Sequence, residues 1–173
     1  MSVEASAAIG ATGNTVYRFY VNMTDATDKI SAVFGNDQDN LIINSPAGIF
    51  NSSSVPGWSA AGINPAFLQF VPSMADDSYA TIGLDQPAES PEADPTLIEG
   101  PDSGFPIANY FAPNSAGTGL NVSTNAGGSW FVLNTAANAL PDADLRVLIM
   151  QITTSGDLSG TINYQVFPFG VGA

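Results

Sequence analysis

The sequence predicts an all-β fold, an antiparallel β-sandwich with jelly-roll-like connections and long loops. Short runs of alternating apolar and polar residues, rich in aromatic and β-branched types, recur along the chain. Clusters of Gly, Pro, Asn and Asp separate them, and no stretch sustains a helical period. With 173 residues, 45% hydrophobic and only 11% charged, the chain is long enough for one core and too apolar for a disordered tail. These counts predict one domain over residues 14–173, preceded by a flexible arm of small residues at 1–13.

TVYRFYVNM (15–23) sets Tyr17, Phe19, Val21 and Met23 against Val16, Arg18, Tyr20 and Asn22, the pattern of a half-buried strand. After the turn DATD, KISAVFG (29–35) reads as a second strand. After NDQDN (36–40), LIIN (41–44) reads as a third, with GIF (48–50) a short continuation. Residues 51–74, with Trp58, Phe67 and Phe70 among Gly, Ser and Pro, read as a long structured loop with one helical turn after Pro65. DSYATIGL (77–84) is strand-like. An acidic, proline-rich insert at 85–113 holds six acids and no base, and is expected as an exposed excursion. GLNVST (119–124) and SWFVLN (129–134) are further strands.

DLRVLIMQITTSGDLSGTINYQVFPFG (144–170) is expected as a terminal hairpin. Its second half alternates cleanly, with Leu158, Ile162, Tyr164 and Val166 in phase. Its first half is apolar on both sides, with Leu145, Val147 and Ile149 on one and Leu148, Met150 and Ile152 on the other. A strand with two apolar faces needs two covers. One is the opposing sheet; the other is a long loop of the chain itself, for which the 85–113 insert is the candidate, or a neighbouring subunit. Leu148, Met150 and Ile152 are therefore the candidate interface.

Charge and composition exclude several functions. Sixteen acids against three bases give a net charge of −13, a field that repels nucleic acids and anionic membranes. No apolar run is long enough to span a bilayer as a helix. Without cysteine there are no disulfides or thiolate metal sites, and without histidine no ordinary Ser-His-Asp triad. The opening MSVEASAAIGATGN lacks a basic leader region, so synthesis and folding in the cytoplasm are expected.

Few residues are candidates for chemistry. Asn36, Asp37, Asp39 and Asn40 place oxygen donors in a tight turn. Asp37 and Asp39 are the candidate ligands for Ca²⁺, the single cofactor considered, and an Asx turn joining two strands is the plainer reading. Asp76 and Asp77 are adjacent and point to opposite faces of a strand, so they do not pair for acid–base work. No P-loop is present, and GATGN (10–14) is too degenerate for a dinucleotide site. Trp58, Tyr110 and Phe111 lie in loops and form a candidate glycan platform, whereas Trp130 sits in a strand and is assigned to the core. Arg18 and Arg146 lie within strands and are expected to pair with acids. No catalytic residue is assigned.

Taken together, TVYRFYVNMTDATDKISAVFGND, GINPAFLQFVPSMADDSYATIG, SWFVL and DADLRVLIMQITTSGDLSGTINYQVFPFGVG occur in this order. They resemble a β-rich module of marine bacterial secreted proteins and of structural proteins of marine tailed phages, cyanophages especially. The resemblance spans most of residues 15–170 and brings no catalytic residues with it. With no leader at the start, it implies the phage branch: a non-enzymatic virion protein assembled in the host cytoplasm, either a capsid decoration (cement) protein or a fibre or appendage subunit. The implied partners are copies of itself, a trimer among the expected forms, and the major capsid or another virion protein. The alternative is an extracellular carbohydrate- or surface-binding module using Trp58, Tyr110 and Phe111, with Ca²⁺ at Asp37 and Asp39.

Overall fold

A computed structural model describes residues 1–100 and 103–171. The alternating segments become β2 (Thr15–Asn22), one residue shorter than its pattern, and β3 (Lys29–Gly35) and β4 (Leu41–Asn44), with the bounds their patterns predict. They are joined by β1 (Ser2–Ala7), β5 (Tyr79–Ala80), β6 (Thr96–Glu99), β7 (Gly119–Val122), β8 (Gly128–Phe131), β9 (Arg146–Thr154), β10 (Ser159–Thr161) and β11 (Asn163–Phe167). One short helix, α1 (Pro106–Tyr110), and several single 3₁₀ turns complete the described residues. Three antiparallel sheets form, in the orders β1-β2-β9-β5, β11-β3-β8-β6 and β10-β4-β7. One apolar cluster draws on all three: Val21 and Ile149 from the first, Ile30, Val33 and Trp130 from the second, Leu41, Ile43, Leu120 and Val122 from the third. The protein is an all-β sandwich.

The terminal segment is not a hairpin. β9 lies between β2 and β5, while β10 pairs with β4 and β11 with β3. Asp157 and its neighbours carry the chain from one sheet to the next. The expected strand over 77–84 shrinks to Tyr79–Ala80, and GIF (48–50) forms no strand. The N-terminal residues are not a free arm. Six of them form β1 on the edge of the first sheet, in register with β2 from Ser2↔Tyr20 to Ala7↔Thr15. Nor is 85–113 a simple excursion, because β6 and α1 lie within it and β6 extends the second sheet through β8.

The doubly apolar strand has two causes. The β2–β9 register passes from Phe19↔Met150 to Tyr20↔Leu148, so Ile149 is an extra residue in the ladder. A bulge of this kind resets the alternation. Val147, Ile149, Met150 and Ile152 consequently all belong to the main core despite their mixed parity. Leu148 points the other way, into a second cluster with Tyr20, Val55, Ala60, Ile63, Met74 and Tyr79. The cover on that side is a loop of the chain itself, as one of the two alternatives expects, but it is the loop 51–76 and not the 85–113 insert. Leu148 is 7% exposed, and Met150 and Ile152 are fully buried, so none of the three is available as an interface. Leu148→Ala is expected to cost about 2–3 kcal/mol, the usual loss for a truncated core leucine. Urea melts measure it, and light scattering should show the oligomeric state unchanged.

Candidate functional site

Two of the three basic side chains, Arg18 and Arg146, line one surface depression of about 380 Å³ together with Tyr20, Asp85, Glu92 and Asp142. The pairing of β2 with β9 brings them there, with Tyr20 between. The Arg18 Nε donates to Gln151 Oε1 at 2.9 Å, and its guanidinium lies 3.3 Å from the Asp85 carboxylate. The Tyr79 hydroxyl donates to the same Gln151 oxygen at 3.3 Å, and the Gln151 amide donates to the carbonyls of Ala75 and Asp77. Arg146 stands 4.2 Å over the Tyr20 ring and pairs with Asp142 at 3.3 Å, Asp144 at 3.5 Å and Glu4. The hydrogen bond from Arg146 holds the Glu4 carboxyl below the usual carboxylate range. Both arginines thus take acid partners, as their sequence setting requires, and they bind β1, β9 and the loops at 85 and 142 to one another. The arrangement is one of arginines paired with carboxylates.

Asp76 and Asp77 do point apart, and both are buried. The Asp76 carboxylate accepts the N–H groups of Ile9, Gly10 and Ala11 at 2.9, 2.6 and 2.8 Å. Sequence reasoning missed this contact, although its signal was visible: a glycine-bearing turn supplies consecutive N–H groups that form an anion nest, and here the anion comes from the chain itself. Gly10 is required, since a Cβ there would lie 2.5 Å from the Ser73 nitrogen. Asp77 Oδ1 accepts the Ser52 N–H at 2.6 Å, which closes the base of the 51–76 loop.

Burial pushes the Asp77 carboxyl up to about 7, against the opposing effect of the Ser52 and Ser78 N–H groups. An acid whose folded pKa lies above its unfolded value favours the fold at low pH. That contribution is complete below about pH 4 and is lost as pH rises through about 7. Asp77→Asn keeps the accepting oxygen and is expected to be about 1–2 kcal/mol more stable than the parent near pH 8.5. The advantage should vanish towards pH 4; paired urea melts across that range measure it.

The remaining candidates are not assembled into sites. Asn36 Oδ1 accepts the N–H groups of Gln38 and Asp39, and the Asn163 amide donates to the carbonyls of Asp39 and Asn40. This is an Asx turn tied to β11, with Asp37 and Asp39 exposed. Among the described residues no group of three or more acids could hold a metal ion. Trp58 is half-buried against the core, Tyr110 is 2% exposed and Phe111 1%. Tyr110 meets the Ser45 hydroxyl at 3.0 Å, with its own pKa raised to about 12 by burial, and Phe111 packs edge-on to Trp130. Tyr110 and Phe111 are core residues, so the expected glycan platform does not exist in that form. Trp130 is core, as its strand position predicts. Among the described residues no helix is long and apolar enough to cross a membrane. Comparison with family models, with curated proteins and with solved structures finds no match.

Proposed function

We propose that this chain is a non-enzymatic structural subunit of a phage particle, a capsid decoration protein or an appendage subunit. The observation that carries this reading is where the buried carboxylates and the scarce basic side chains are used. Asp76 fastens the N-terminal turn and Asp77 the long loop. Asp28 accepts from Thr24, Asp25 and, across 141 residues, the Phe169 N–H, holding the C-terminal turn. Arg18 and Arg146 tie loops to strands. Side chains that an enzyme would aim at a substrate are used here to close the sandwich at its termini and its longest loop. The resemblance of four sequence blocks to marine phage structural proteins supports the same reading, as does a net charge that disfavours binding DNA directly.

The test is cosedimentation with tailed-phage capsids assembled without their accessory proteins, followed by electron microscopy. Added density at regular lattice positions, unchanged by chelator, is the expected result. Absence of density together with binding on a glycan array would replace this reading with that of a surface-binding module.

A further inference from the structure

β1 is held to the sandwich by polar contacts. No residue from 1 to 10 belongs to either apolar cluster, and every residue of β1 after Ser2 is exposed. Four things fix it in place: the ladder to β2, the Ser2 hydroxyl donating to Asn22 Oδ1 at 2.8 Å, the Glu4 carboxylate on Arg146, and Asp76 on the turn at 9–11. Residues 8–14 connect it to β2, and of these only Ala11 is buried. Their bend is closed by the Asn14 N–H and side-chain amide, both donating to the Ala11 carbonyl. Gly13 turns the chain with φ of 88°, in open space.

We propose that β1 is exchanged between copies of this chain, each copy's β1 adding to the β2 edge of the other. The edge selects its occupant. With β1 lifted away, β2 presents open backbone with Asn22 and Arg146 near one end. The register brings Ser2 and Glu4 to those two side chains. A second copy carries the same residues at the same spacing and completes the same ladder and the same two side-chain contacts. An unrelated strand supplies the backbone bonds alone. Because the exchange reuses bonds already made within one copy, its strength does not depend on new buried area.

The bend opposes the exchange. Residues 8–14 must straighten, to a reach of about 23–25 Å, for β1 to leave its own β2. Straightening gives up the Asn14 bonds to Ala11 and the three N–H bonds to Asp76. Asp76 is therefore the latch that keeps β1 at home in dilute solution, helped by the mutual repulsion of molecules of net charge −13. Exchange becomes effective where copies are held close together, as on a particle surface. It deepens the assembly reading and rests on it for that proximity.

A disulfide trap tests it. Ala7 stands opposite Thr15 in the ladder, at a Cα separation of about 4.5–5.5 Å that a disulfide spans. The chain has no cysteine, so Ala7→Cys with Thr15→Cys introduces its only two thiols. Oxidation joins them within one chain when β1 is at home and between chains when it is exchanged, and a non-reducing gel separates the products. At about 1 mM protein this parent is expected to give a minor covalent dimer that grows with concentration. Asp76→Ala and Gly13→Val, each added to that parent, are expected to raise the dimer about tenfold or more. The first removes the latch; the second sets a β-branched residue where φ is 88°, a strain the straight hinge relieves. Leu148→Ala destabilises the fold without touching the hinge and should match the parent. Absence of covalent dimer from every variant overturns the proposal, and so does an equal rise in Leu148→Ala, which would report unfolding. If dimers form as expected but capsid cosedimentation fails, only the phage reading falls.

Discussion

Replacing Asp76 with alanine is expected to cost about 3–4 kcal/mol. The carboxylate is 1% exposed and accepts three backbone N–H groups, all within hydrogen-bonding distance at 2.9 Å or less. Hydrogen bonds to an ionised acceptor contribute about 1.5–3 kcal/mol each. They act on one rigid turn and are not additive, and Ile9 can regain water once released, whereas Ala11 is buried and cannot. The sum is therefore well below three independent bonds. Asp76→Asn retains one accepting oxygen and should lose about half as much. Because the turn comes directly after β1, the second readout is local: amide exchange over residues 2–11 should accelerate in Asp76→Ala more than in the core strands. A loss under about 1 kcal/mol, with exchange at β1 unchanged, would mean that β1 is held by its ladder to β2 alone.

Trp130→Ala is expected to be the most damaging single truncation, at about 5 kcal/mol. The side chain has no exposure, and its indole N–H is shared between the carbonyls of Thr81 at 3.0 Å and Ile149 at 3.2 Å. It stands on β8 of one sheet and bonds to the bulge residue of β9 in the other. Removing it opens a cavity costing about 3–5 kcal/mol and strips a donor from two buried carbonyls, adding about 1 kcal/mol. Against a total stability of about 5–15 kcal/mol, that removes between a third and all of it. Trp130→Phe fills most of the volume and loses only the N–H, so about 2 kcal/mol is expected. Chemical denaturation of the pair separates packing from hydrogen bonding. Equal losses in both would show that the indole N–H is what joins the sheets.

Much of the strand content was legible because alternation and turn residues are local signals. β2, β3 and β4 match their patterns, and the turn after Pro65 forms where the proline begins it. What escaped was non-local. Ser2–Ala7 lacks the bulk of a typical strand and becomes one because β2 offers an edge and Asp76, some 65 residues away, anchors the turn at 9–11. The apparent hairpin at 144–170 failed because alternation reveals a strand and not its partner. The doubly apolar β9 was correctly read as needing two covers, yet neither a bulge at Ile149 nor the identity of the covering loop is written in residue type. The candidate aromatics failed for a related reason: Tyr110 and Phe111 look like loop residues until α1 turns them inward beside Ser45 and Trp130. Arg18 and Arg146 fared better, because an arginine among apolar neighbours has few ways to exist unpaired.

The position of β9 also governs how the chain emerges from the ribosome. β9 forms the middle of its sheet, between β2 and β5, but it is encoded more than 120 residues after β2 and more than 60 after β5. Until residue 154 has left the exit tunnel, β2 keeps one open edge, and the loop that will cover Leu148 has nothing to close upon. The nascent sheet waits as two separated halves, each presenting unpaired backbone and aromatic side chains for most of its synthesis. Such an interval invites the wrong strand to pair. Slowing elongation within codons 85–145 should raise the aggregated fraction, whereas slowing it within codons 1–14, before β2 is made, should not.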